Sequence, residues 1–130
     1  MPHNKARVLV ADDHPEFAER VAQLLTADFE VIGTASDGLS LLELADKMKP
    51  AIVITDIMMP HVDGIEATRQ LRTRESAPEV IILTGHTDQD FIDASFAAGA
   101  LGYVSKSRIA ELPKAIKAVL EGRRFVSASE

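Results

Sequence analysis

Short apolar runs alternate with amphipathic segments along this chain, and this alternation limits its fold more than any other feature. The runs at residues 8–11 and 52–55 read Val-Leu-Val-Ala and Ile-Val-Ile-Thr. Continuous runs of this kind are typical of strands buried on both faces of a parallel sheet. The segments between the runs place apolar residues at helical spacing, as Phe17, Val21 and Leu25 do. The pattern therefore predicts repeated βα units.

The alternation predicts five strands and five helices. We expect strands near residues 7–11, 29–34, 51–55, 80–83 and 102–105. We expect helices over about residues 15–25, 39–48, 65–72, 88–98 and 110–122. Because the connections are short, these elements fit one doubly wound α/β sheet of five parallel strands in the order 2-1-3-4-5. The domain should span residues 1–122, with 123–130 as the start of a linker or a frayed tail.

The composition narrows the class of protein further. The 130 residues are 46% hydrophobic and include no cysteine, which permits a real core and excludes disulfides, thiol catalysis and thiolate metal sites. No apolar run approaches the roughly 18 residues of a membrane span, and no signal peptide is visible, so we expect a cytoplasmic protein without membrane contact. The net charge of -6 opposes direct binding to nucleic acid.

Charged side chains follow the predicted strands directly. Asp12 and Asp13 follow the first strand, Asp56 follows the third and Lys106 follows the fifth. The carboxyl ends of parallel strands border one crevice, so these side chains should meet there. Clustered carboxylates repel one another unless a cation joins them, and Mg²⁺ prefers oxygen ligands of this type. The sequence therefore predicts a phosphate site assisted by Mg²⁺ (or Mn²⁺).

Each of these residues also has a simpler structural explanation, as do Thr84 after the fourth predicted strand and Tyr103 within the fifth. Asp56 could be an ordinary turn residue before Pro60. Asp12 and Asp13 could cap a helix, because acidic side chains favour helix starts. Thr84 could be an ordinary β-branched strand residue, Lys106 a solvated loop charge and Tyr103 a cover for the edge of the sheet. The shared position of the charged residues at one rim favours the functional explanation.

Four motifs occur in order with strand-sized spacing. They are Val-Leu-Val-Ala-Asp-Asp at 8–13, Asp-Ile-Met-Met-Pro-His-Val-Asp-Gly at 56–64, Ile-Leu-Thr-Gly at 82–85 and Gly-Ala-Leu-Gly-Tyr-Val-Ser-Lys at 99–106. Together they cover nearly the whole chain, which resembles the receiver domain of two-component response regulators. The segment 115–127 is similar to the ending of NarL/LuxR-type receivers in particular. The resemblance implies a flavodoxin-like (CheY-like) fold.

The resemblance also implies the chemistry of the site. Asp56 would accept a phosphoryl group from a histidine kinase or a phosphotransfer domain. Mg²⁺ (or Mn²⁺) would be held by Asp12, Asp13, Asp56 and the backbone carbonyl of Met58. The chain would then catalyse only its own phosphorylation and dephosphorylation, and would not be an enzyme acting on other molecules.

Further residues would respond to the phosphoryl group. Lys106 would clamp one phosphoryl oxygen, and Thr84 would donate its hydroxyl to another. Tyr103 would move inward with Thr84 and change the face formed by the fourth helix, fifth strand and fifth helix. Met58 and His86, two residues past the acceptor and the threonine, would tune the lifetime of the phosphoryl group.

Two features lie outside this pattern. Ser107 follows the lysine where a proline is common in the family, which leaves the peptide geometry after Lys106 open. The histidines show no metal-ligand spacing, so His3, His14 and His61 are expected at the surface.

The resemblance implies a signalling output through a partner. We expect an effector domain or a target protein, most simply transcription regulation through a helix-turn-helix domain beyond Glu130, and a homodimer linked to phosphorylation. The alternative is a stand-alone receiver that acts through protein–protein contacts. A non-phosphorylatable interaction module is a further alternative, which the complete set of motif residues opposes.

Two other classes fit the residues less well. A Mg²⁺-dependent phosphatase of the haloacid dehalogenase type needs Asp-x-Asp after the first strand, whereas Asp12 and Asp13 have no spacer. A flavodoxin-like carrier of a phosphorylated cofactor is opposed by the same acidic loop, which would repel a phosphate.

Overall fold

In the computed structural model, which describes residues 5–128, parallel strands form one sheet with helices on both faces. The strands are β1 (Arg7–Ala11), β2 (Glu30–Ala35), β3 (Ile52–Thr55), β4 (Glu79–Thr84), β5 (Gly102–Ser105) and β6 (Phe125–Ser127). The helices are α1 (Pro15–Leu25), α2 (Gly38–Met48), α3 (Gly64–Leu71), α4 (Gln89–Ala98) and α5 (Leu112–Leu120). A 3-10 segment, Lys106–Glu111, precedes α5.

The strand order is β2-β1-β3-β4-β5-β6, and all neighbouring strands are parallel. The doubly wound α/β architecture, the five helices and the predicted order of the first five strands are confirmed. The prediction of a five-stranded sheet is wrong, because β6 adds a sixth strand beside β5. Gly102 lies opposite Phe125, and Val104 lies opposite Ser127. A strand of three residues, directly after two arginines, is too short to be recognised from the sequence pattern.

The sheet therefore extends beyond the expected domain end at residue 122. Ser127 and Ala128 are buried, and the Ser127 hydroxyl accepts a hydrogen bond of 2.9 Å from Arg108 Nε. The segment before residue 129 thus packs against the domain, although its sequence is small and polar. Ser129 and Glu130, the last two residues of the expected tail, lie outside the described residues, as does His3.

Alternate residues of the central strands supply two apolar cores, one on each face of the sheet. Val8 and Val10 of β1 join the core beneath α1 and α5. Leu9 and Ala11 join the core beneath the other three helices. Successive side chains of a strand point to opposite faces, so covering both faces requires apolar residues at every position. This arrangement explains the unbroken apolar runs of the sequence.

The same arrangement leaves the carboxyl edge of the strands open for polar groups. Within the described part of the chain, no helix is long and apolar enough to span a membrane.

Asp63 caps α3, because its Oδ1 accepts a hydrogen bond of 2.8 Å from the backbone N–H of Glu66. The start of α3 is thereby fixed beneath the loop that follows β3.

Candidate functional site

The loops at the carboxyl edge are tied to the sheet by backbone hydrogen bonds. The N–H of Asp12 donates to the carbonyl of Ala35 at 3.0 Å, and the N–H of Asp56 donates to the carbonyl of Ala11 at 3.1 Å. Both aspartates therefore continue the ladders of their strands by one bond. Their carboxylates project from a rigid frame, and each is almost fully buried.

Lys106 joins these two carboxylates. Its Nζ lies 2.8 Å from Asp12 Oδ2 and 2.9 Å from Asp56 Oδ2, and its side chain is 23% exposed. Burial opposes the positive charge, but the hydrogen bonds to Asp12 and Asp56 outweigh burial and raise the pKa of Lys106 above its usual value. The ammonium is thus fully charged at neutral pH and neutralises part of the acidic cluster.

In the loop after β3, both carboxylate oxygens of Asp56 accept hydrogen bonds. Oδ1 accepts a hydrogen bond of 2.7 Å from the N–H of Ile57, and Oδ2 accepts from Lys106. Gly64 makes this loop possible, because a Cβ there would lie 1.8 Å from the carbonyl oxygen of Asp56. Its N–H also donates to the carbonyl of Ile57 at 2.8 Å. The close approach of α3 therefore requires glycine at this position.

Asp12, Asp13 and His14 form a second group whose ligand atoms all lie within 4.8 Å of one another. The N–H of His14 donates to Asp12 Oδ1 at 2.8 Å, and its Nδ1 lies 3.2 Å from the same oxygen. The N-cap residue of α1 is His14, so neither aspartate serves as the cap that the simpler explanation offered. His14 is exposed, as predicted, but its part in this group was missed because the two contacts depend on the fold of the loop.

The group has the donor set that a divalent cation requires. Asp13 Oδ1 is buried and has no hydrogen-bond partner among the described residues, although His14 Nδ1 lies 3.1 Å away. That contact has the distance of an ion pair without hydrogen-bond geometry. An unpaired buried carboxylate oxygen is costly unless a cation coordinates it. The carboxylates of Asp12 and Asp13 therefore fit a divalent cation such as Mg²⁺.

The side chains of Thr84 and Tyr103 both form hydrogen bonds with the backbone of His86. The Thr84 hydroxyl oxygen accepts a hydrogen bond of 3.3 Å from the N–H of His86. The Tyr103 hydroxyl donates to the carbonyl of His86 at 2.8 Å. Burial, reinforced by the charges of Asp88 and Asp56, raises the pKa of Tyr103 to about 12. Tyr103 is fully buried, and β6 rather than β5 forms the edge, so the explanation of Tyr103 as an edge cover is wrong.

The predicted residues thus fall into two clusters. In one cluster, Lys106 contacts both Asp12 and Asp56. In the other, the Thr84 hydroxyl oxygen accepts a hydrogen bond from the N–H of His86. Met58, two residues after Asp56, is 50% exposed. The Lys106–Ser107 peptide bond is trans.

One further side chain reaches the site without belonging to any of the four motifs. The ring of Phe17 lies with its centroid 4.3 Å from Lys106 Nζ. The helical spacing assigned Phe17 to the buried face of α1, which is correct, since it packs against the core beneath that helix. Its contact with the lysine was not predicted, because the two residues are far apart in sequence.

Comparison with known proteins agrees with this geometry. Residues 8–117 match the family described as response regulator receiver domain. The chain belongs to this family. The fold and the order of the motifs agree with that membership.

The similar proteins include transcription regulators. The chain is 36% identical over 126 residues to the transcriptional regulatory protein DegU of Brevibacillus brevis, covering 95% of this chain and 53% of DegU. It is 42% identical over 119 residues to LiaR of Bacillus subtilis, covering 89% of this chain and 56% of LiaR. The chain therefore spans about half the length of these curated relatives.

A solved structure gives the same result. The crystal structure of a LuxR-family two-component response regulator from Aurantimonas sp. SI85-9A1 superposes with a TM-score of 0.89 at 39% identity, covering 95% of this chain and 90% of that one. The resemblance to receivers of NarL/LuxR-type response regulators is confirmed.

Proposed function

We propose that this receiver is a phosphorylation switch in which Asp56 accepts a phosphoryl group from a histidine kinase or a phosphotransfer domain. The observation that supports the proposal is the buried contact of Lys106 with both Asp12 and Asp56. An ammonium held at the acceptor carboxylate offsets the repulsion between that carboxylate and an anionic phosphoryl group.

The chain's own groups carry the transfer. A carboxylate oxygen of Asp56 forms the new bond to phosphorus as the bond from phosphorus to the donor nitrogen breaks. Lys106 then contacts a phosphoryl oxygen, while the N–H of Ile57 remains on the carboxyl group. The chain acts in this way on itself alone and is not an enzyme for other substrates.

Asp12, Asp13, Asp56 and the backbone carbonyl of Met58 would hold Mg²⁺ (or Mn²⁺). When bound, the metal would neutralise charge on the phosphoryl oxygens and so reduce their repulsion from the acceptor carboxylate. The buried oxygen of Asp13 supports this assignment, since it accepts no hydrogen bond in the described chain.

The response passes from the phosphoryl group to the face formed by α4, β5 and α5. Thr84 leaves its contact with the His86 N–H to donate to a phosphoryl oxygen, and the loop that follows β4 shifts with it. The Tyr103 hydroxyl donates a hydrogen bond to the carbonyl of His86 in that loop. Because Tyr103 belongs to β5, a shift of the loop also moves β5. Met58 and His86, two residues past Asp56 and Thr84, would tune how long the phosphoryl group persists. The thioether of Met58 is a poor hydrogen-bond partner for an attacking water, whereas the imidazole of His86 is a good one.

The output in the native protein is transcription control through a helix-turn-helix domain that follows this segment. The relatives DegU and LiaR are about twice as long as the matched segment, which supports this proposal. Phosphorylation-linked dimerisation would bring two such domains together. Sequencing the native gene tests the proposal, and a stop codon immediately after Glu130 would favour the alternative, a stand-alone receiver acting by protein–protein contacts.

The acceptor role is tested by intact-mass measurement after incubation with Mg²⁺ and acetyl phosphate. We expect one phosphoryl group on the wild type and none on Asp56→Asn. Asp28→Asn is the matched control, because Asp28 is exposed in the turn before β2 and should leave labelling unchanged. Equal labelling of wild type and Asp56→Asn would remove Asp56 from its role. Asp13→Ala should raise the Mg²⁺ concentration that labelling requires, because it removes a direct oxygen ligand of the metal and leaves the acceptor in place.

A further inference from the structure

The Lys106 ammonium has a third neighbour besides its two carboxylates, the ring of Phe17. Its Nζ lies 4.3 Å from the ring centroid, while Asp12 Oδ2 and Asp56 Oδ2 lie 2.8 and 2.9 Å away. We propose that Phe17 is a positioning residue that holds the lysine at the acceptor carboxylate through a cation–π interaction. The inference rests on the proposed phosphoryl acceptance and adds a residue from outside the motifs.

The three contacts together restrict where the ammonium can lie. A lysine side chain is flexible, so two carboxylates alone allow several positions of Nζ at little cost. The face of an aromatic ring carries negative electrostatic potential and attracts a cation. The ring also excludes water from one side of the ammonium, which strengthens its attraction to the carboxylates.

The local sequence builds this contact at the start of α1. Pro15 begins the helix, and the N–H of Phe17 donates to the carbonyl of His14 at 3.0 Å. The first helical turn therefore fixes the ring three residues after the loop that carries Asp12 and Asp13. The Phe17 side chain is partly buried against the core beneath α1, so its position is set by packing as well.

The ring keeps its attraction when the carboxylate changes. Once Asp56 carries a phosphoryl group, its carboxyl oxygen loses negative charge and its bond to Lys106 weakens. The quadrupole of Phe17 does not change in this step. Phe17 therefore retains the ammonium near the acceptor while Lys106 turns toward a phosphoryl oxygen.

The first experiment measures the rate of labelling by acetyl phosphate in proteins with fluorinated phenylalanine at position 17. Added fluorine weakens the negative ring face with little change in size, so packing is preserved. We expect the rate to fall progressively, to between about 2-fold and about 30-fold below wild type for the trifluorinated ring, which corresponds to the usual strength of a cation–π contact. A rate that does not respond to fluorination would overturn the inference, because a role in packing alone predicts that result.

Phe96 provides a matched control. Its ring centroid lies 4.1 Å from the guanidinium carbon of Arg124, and this cation–π pair includes none of the predicted site residues. Phe17→Leu should slow labelling, whereas Phe96→Leu should leave the rate at the wild-type value. An equal loss in the two variants would mean that the effect is general destabilisation, and would contradict the inference.

The second experiment does not depend on phosphorylation. Urea unfolding midpoints are compared for Phe17→Leu in the wild type and in a Lys106→Met background. We expect a clearly smaller midpoint shift in the background that lacks the ammonium, and an equal shift would refute the contact. If the wild type is not labelled on Asp56, the proposed function fails, and the unfolding comparison still decides whether Phe17 holds Lys106.

Discussion

Tyr103 is the only tyrosine of a chain without tryptophan, so its optical signals report one buried side chain. Burial and nearby negative charges raise its pKa from 10.0 to about 12. Absorbance titration by rapid pH jump should therefore give a midpoint near 12 in the folded protein and near 10 in urea. A folded-state midpoint near the ordinary value would mean that the hydroxyl is solvated, and would contradict its contact with His86.

The same shift predicts how stability depends on pH. Below pH 10 both folded and unfolded Tyr103 keep the proton, and the full stabilisation is present. Between pH 10 and about 12 the unfolded tyrosine releases its proton first, so the free energy of unfolding falls as pH rises. Tyr103→Phe should lose this part of the alkaline decline, at a cost of about 1 kcal/mol near neutral pH for the hydrogen bond to His86.

Thr84 separates forming the phosphoryl bond from responding to it. Thr84→Ala leaves Asp56 and Lys106 in contact, so we expect labelling to persist while the amide-exchange response around Tyr103 is largely lost. Lys106→Met should reduce labelling more strongly, because it removes the charge between two buried carboxylates. The contrary outcome is a Thr84→Ala protein that responds as fully as the wild type, in which case the threonine has no sensing role.

The sixth strand makes a prediction about the end of the domain. A chain cut after Gly122, where the sequence suggested the end, loses the pairing of β6 with β5 and exposes core covered by Phe125 and Ala128. We expect it to lose at least about 2 kcal/mol of stability in urea unfolding. Val126→Thr is the control, since that side chain is 49% exposed and should be nearly neutral. Equal stability of the cut and complete chains would show that β6 contributes nothing.

The charge of the domain makes a prediction about its partners. With a net charge of -6, the receiver should not retard DNA in a gel even at low salt, before or after phosphorylation. Linking it to a basic helix-turn-helix domain should be required for DNA binding. Retardation by the isolated receiver would assign it a contact with nucleic acid that its composition opposes.

Local patterns were enough to predict most of the architecture. Apolar runs typical of strands buried on both faces, and segments with helical spacing, identified five strands and five helices. These patterns can be recognised because each depends only on residues that are close together in the sequence. The rule that strand ends converge then brought Asp12, Asp56 and Lys106 together before any contact was known. Lys106 Nζ lies 2.8 Å from Asp12 Oδ2 and 2.9 Å from Asp56 Oδ2, which agrees with that prediction.

Contacts between distant segments depended on the three-dimensional fold. Phe125–Ser127 is a strand only because β5 offers it an open edge, and three residues carry too little pattern to indicate this. Phe17 gave the signal of a core residue, yet its ring also faces Lys106. His86 links Thr84 and Tyr103 through its backbone, for which side-chain identity gives no signal. Residue types set the available chemistry, whereas packing decided which groups came within reach of one another.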